Sequence, residues 1–70
     1  MERHVLSVRP GRSGWVLVDG GQPVEWFRTR QGAIAFGEVK AYKLFQFTGI
    51  PSALTVFVDD TISMTEVQYG

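Results

Sequence analysis

The segment Thr29–Thr48, TRQGAIAFGEVKAYKLFQFT, most constrains what this chain can become, because it carries helical periodicity with apolar side chains around nearly its whole circumference. At about 100° per residue, Ala33, Ile34, Gly37, Ala41, Leu44 and Phe45 gather within one third of the wheel and form the expected core stripe. Small residues at Ala33, Gly37 and Ala41 let a helix backbone lie close to a sheet. Phe36 and Phe47 widen one edge, and Ala35, Val39 and Tyr42 recur on the far side. The charged residues Arg30, Glu38, Lys40 and Lys43 share no face. A helix that is apolar all round is normally buried all round, yet one helix on a small sheet covers only one side. The excess predicts a second covered surface: either the chain's own strand-connecting loops cover it, or it takes a partner through Ala35, Val39, Tyr42 and Gln46 or through the uncovered sheet face.

The rest of the chain reads as short strands. His4–Val8 is the first, ended by Pro10-Gly11-Arg12-Ser13-Gly14. Trp15–Asp19 is a continuous apolar run, which predicts a strand covered on both faces and central in the sheet. Asp19-Gly20-Gly21 signals a hairpin leading to a third strand over Val24–Arg28. Thr29 is the expected N-cap, without a capping box because Gly32 stands where an acid would reach back. Gly49 is the expected helix stop, with Pro51 beyond it. Ala53–Val58 and Ile62–Tyr69 follow as strands joined by the turn Asp59-Asp60-Thr61, the last of them polar enough for an edge. Met1–Arg3 is expected to fray. The predicted architecture is α+β: a small antiparallel sheet of about five strands, in the order β-β-β-α-β-β, with one helix packed on one face.

Seventy residues make one domain. A core of that size supplies only about 3–5 kcal/mol, so a staple or a partner is expected. There is no cysteine, which excludes disulfides and thiolate metal sites. No stretch is long and apolar enough to span a membrane, and the default expectation is a cytoplasmic protein. Seven basic residues balance seven acidic ones, so no overall field draws the chain to nucleic acid or to an anionic membrane. Residues 1–30 hold five arginines against three acids, and residues 31–70 hold two lysines against four, leaving halves of +2 and −2.

His4-Val5 opening a strand, Gly14-Trp15 opening the next, Phe27 and Thr29 leading into a helix with Ala33-Ile34 in its first turns, a closing hairpin and a terminal Tyr69-Gly70 together resemble a family of short bacterial domains of unknown function, number 2188 of that series. The resemblance implies a β-rich α+β fold and brings no activity with it. Members usually carry a charged helix rich in alanine and glutamate, where this chain has Phe36, Tyr42, Phe45 and Phe47.

The residues offer little chemistry. His4 is the only histidine and sits near a terminus, with no cysteine and no nucleophile-elbow serine to partner it. Asp59-Asp60 is read as turn chemistry, and Glu25 with Glu66 as a carboxylate pair lacks recognised ligand spacing. Gly11-Arg12-Ser13-Gly14 has no phosphate-loop lysine or following helix and is read as a hairpin loop. The chain is therefore expected to be a non-catalytic binding or assembly module with no cofactor, metal or small-molecule substrate, pairing with itself as a homodimer or with another protein. The alternative is nucleic-acid binding through Arg9, Arg12 and Arg28, with Trp15, Trp26, Phe27, Phe57 and Tyr69 as a stacking platform.

Overall fold

The computed structural model describes residues 3–59 and 61–70. Met1 and Glu2 of the expected frayed terminus, and Asp60 of the final turn, lie outside the described residues. The elements are β1 (His4–Pro10), β2 (Trp15–Asp19), β3 (Gln22–Phe27), α1 (Arg30–Thr48), β4 (Ser52–Phe57) and β5 (Ser63–Tyr69). They form an α+β fold in which the helix packs on one face of a five-stranded sheet of order β3-β2-β1-β4-β5.

Two expectations need correction. The sheet is mixed rather than antiparallel, because β1 and β4 pair in parallel at its middle, Leu6 opposite Leu54 and Val8 opposite Val56. The cause is the chain path. Two tight hairpins make β1, β2 and β3 an antiparallel meander, so β3 runs in the direction of β1. One 19-residue helix, about 28 Å long, reverses the chain once and returns it to the end where β1 starts. The next strand must then run parallel to β1. The central strand is accordingly β1 and not β2, which lies one place from the edge. The apolar run of β2 is still covered where it counts, with Leu17 fully buried and Val16 nearly so. β5 is an edge strand, as its polar alternation predicts.

Local chemistry explains the joints. Gly20 and Gly21 both take positive φ, 59° and 85°, the combination a two-residue hairpin turn requires. The Thr29 hydroxyl accepts from the Gly32 N–H at 3.0 Å, and the left-handed Gly49 donates its N–H to the Phe45 carbonyl at 2.8 Å. Val58 donates to the Ile62 carbonyl at 2.9 Å and closes the last hairpin. Inside, Leu6, Val8, Leu17, Leu54 and Val56 from the sheet meet Ala33 and Ala41 from the helix. Ile34 and Leu44 pack at the margin with Trp15, Phe27, Val67 and Tyr69. Each fully buried aliphatic side chain contributes about 1.5–3 kcal/mol against the entropy of ordering the chain.

Candidate functional site

The core takes only the small-residue stripe of α1, where Ala33, Gly37 and Ala41 are buried. The stripe on the opposite side is left uncovered. Ala35, Val39, Tyr42 and Gln46 are all exposed, Val39 at 56% and Tyr42 at 47%. Phe36 and Phe47 flank them, Phe47 at 83% exposure. Phe36, Val39, Lys40, Lys43, Leu44 and Phe47 line a shallow groove of about 370 Å³ along this flank. Intramolecular contacts hold the edges of the surface in place: the Phe36 ring tilts against Phe27 at 5.4 Å, and Tyr42 meets Tyr69 edge-on at 5.5 Å. Tyr69 in turn stacks on Phe45 at 6.5 Å. The helical periodicity predicts the middle of this surface as the interface; Phe36 and Phe47, which the same periodicity places at its edge, complete it with Lys40 and Lys43.

The second exposed face is the side of the sheet away from the helix. Strand register sorts the five aromatics of the proposed platform. Trp15, Phe27 and Tyr69 lie with the helix and the core, and only Trp26 and Phe57 alternate to the open side. Trp26 pairs with Val16 and Val16 with Arg9, while Arg9 places its guanidinium 3.9 Å from the centre of the Phe57 ring. Trp26, Val16, Arg9 and Phe57 therefore form one row across four strands. Trp26 is 65% exposed. A Cβ at Gly11 would stand 3.1 Å from the Trp26 ring, so the loop after β1 lies along its edge. A recess of about 260 Å³ beside that ring is lined by Ser13, Gly14, Trp26, Phe27 and Arg28. Of the arginines proposed to contact nucleic acid, Arg9 lies within the row and Arg28 borders the recess. Arg12 is exposed on the loop between them.

Arg3 sits at the other end of the same face, where the Gln68 amide, turned so that its oxygen faces Arg3, accepts at 2.8 and 3.2 Å. Asp19 and Glu25 fall in register with the helix-side residues, Asp19 with Leu6 and Glu25 with Leu17. Glu66 is the extra residue of a bulge in edge strand β5.

Elsewhere the acids and the histidine stay apart. Glu25 and Glu66 stand on opposite edge strands, about 19 Å apart across four strand spacings, so they form no carboxylate pair. Asp59 is a turn residue: its carboxylate accepts from the Thr61 N–H and hydroxyl, each at 2.8 Å, and from the Ile62 N–H at 2.9 Å. Those bonds, the Thr61 N–H foremost, hold its pKa below the ordinary carboxylate value. His4 is half-buried, its backbone N–H donates to the Pro51 carbonyl at 2.8 Å, and its buried Nε2 has no hydrogen-bond partner among the described residues. Among the described residues no three potential metal ligands converge, and no helix is long and apolar enough to cross a membrane. Compared with models of known families, with curated proteins and with solved structures, the chain matches none.

Proposed function

We propose that this chain is a non-catalytic assembly module that pairs with a second copy of itself through the outer face of α1. The observation that carries the reading is the row Phe36, Val39, Tyr42 and Phe47, large apolar side chains standing in water along one helix. Contiguous apolar surface of this kind marks an interaction site.

The spacing favours a second copy over an unrelated partner. Ala35 and Gln46, and Val39 and Tyr42, lie symmetrically about a midpoint between Lys40 and Ala41. In an antiparallel helix pair related by a two-fold axis through that midpoint, Val39 meets Tyr42 of the other copy twice, and Ala35 meets Gln46 twice. That is the self-complementarity a two-fold interface demands. Ala35 at the contact keeps the two backbones near the close end of the usual 8–10 Å spacing. Lys40 and Lys43 remain at the rim, with their stems over the groove and their ammonium groups in water. A standard interface of about 800 Å² per partner would cover about one sixth of the chain's 4746 Å².

Light scattering after size exclusion tests the reading at concentrations of about 10–100 μM, where a dimer of ordinary affinity is populated. The expected result is twice the chain mass, falling to the chain mass in Val39→Glu, which plants a charge at the centre of the contact while leaving the folded core untouched. A wild-type chain that stays at its own mass throughout that range would refute self-association.

A further inference from the structure

We infer that the open face of the sheet binds single-stranded nucleic acid, with Trp26 as the base-stacking ring and Arg9, its guanidinium lying over the Phe57 ring, as the phosphate contact. This does not depend on the helix-mediated pairing, which uses the opposite side of the molecule.

Three observations carry it together. First, Trp26 stands 65% exposed on this face, and Arg9 lies in the same row two strand spacings away, about 10 Å, with its guanidinium over the Phe57 ring. An unstacked base offers a π-face to the Trp26 ring, and a neighbouring phosphate meets the Arg9 guanidinium. Second, arginine outnumbers acid on this side, where the β5 bulge places Glu66 next to the helix-side Val67. Asp19 and Glu25 are in register with the helix-side residues, and Arg3, Arg9 and Arg28 border the open one. A chain of zero net charge thus presents an excess of positive charge on this side, complementary to phosphate. Third, the row ends in the recess beside Trp26, whose wall includes Ser13, Gly14 and Arg28. Arg12 stands exposed on the loop that also carries Ser13 and Gly14.

Duplex nucleic acid does not suit this surface, because its base faces are already stacked. An exposed ring that takes an unstacked base selects for single strands, and it shows little preference among bases since each has a π-face.

The test is fluorescence anisotropy of labelled single-stranded DNA and RNA oligonucleotides of about 15 nucleotides, titrated with the full chain at about 50 mM and about 200 mM salt. Binding to single strands should weaken with salt, and a duplex of the same length should bind more weakly than either. Trp26→Ala should cost about 5- to 150-fold in affinity, the range that stacking of one base on an aromatic ring commands. Arg9→Ala should lower the slope of log K against log salt by about 0.7, the contribution of one phosphate contact to a single strand. Circular dichroism of both variants confirms that the exposed positions leave the fold intact, and Val39→Glu should bind each strand with the affinity of wild type per chain. No anisotropy change at low salt overturns the inference. So does binding that is indifferent to both Trp26→Ala and Arg9→Ala, or displacement by a poly-glutamate peptide as readily as by unlabelled oligonucleotide, which would assign the face to an acidic peptide instead.

Discussion

Gly37 shows how little tolerance the helix–sheet contact has at the scale of one residue. A Cβ placed there would stand 2.8 Å from Leu54 Cδ1 and 3.2 Å from Leu17 Cδ1, two of the fully buried side chains. Gly37→Ala gains about 1 kcal/mol of helix propensity and loses about 1–3 kcal/mol to overpacking. Net destabilisation by up to about 2 kcal/mol is the expected outcome, read as a lower urea midpoint with an unchanged slope. Asp59 makes a prediction of the opposite kind, on the surface. Its folded pKa is lowered by bonds from Thr61 and Ile62, so the unfolded chain binds the proton more readily. The stability it contributes is therefore complete above the ordinary carboxylate range and is lost as pH falls through the lowered folded value. Thermal melts of wild type and Asp59→Asn should differ by a constant amount at neutral pH and converge on acidification. A difference that grew as the pH fell would contradict the turn geometry. Both residues are legible in the sequence as types, a small residue on a stripe and an acid before a turn. The neighbours that set their energetics are not.

Among the elements, the helix was the most readable and the sheet order the least. The expected span Thr29–Thr48 differs from α1 only in that Thr29 is the cap, since hydroxyl, glycine and proline signals at both ends act locally. The strands agree within a residue or two, for the same reason. Pairing is decided between segments far apart in the chain, and there the apolar run of β2 misled. Its Leu17 is buried by the helix and its Val16 lies beside Trp26, so coverage came without a central position. The order that did form predicts a gradient of backbone protection. Amides of β1 and β4, hydrogen-bonded at the core and carrying Leu6, Val8, Leu54 and Val56, should exchange slowest with deuterium, and those of edge strands β3 and β5 fastest. Slowest exchange in β2 rather than β1 would favour a different strand order.

At the scale of the whole molecule, the two exposed faces look in opposite directions because the helix covers one side of the sheet and leaves its own outer side bare. A pair joined through α1 would hold its two open sheet faces outward, each carrying Trp26 and Arg9. The candidate residues were legible only in part. Val39 and Tyr42 follow from helical periodicity, because a helix long enough to show an apolar stripe opposite its core stripe must expose one of them. The stacking row does not follow from spacing, since Trp26, Arg9 and Phe57 come from three separate strands. What this sequence settled alone is everything carried by near neighbours: the helix and its caps, the turns, the approximate strands, and more apolar side chain than one small core accepts. Which strand lies at the centre, which aromatics reach the open side, and that the charges beside them are arginines were settled only when the helix turned the chain once and laid β4 parallel to β1. That pairing joins residues about fifty positions apart, and no local preference encodes it.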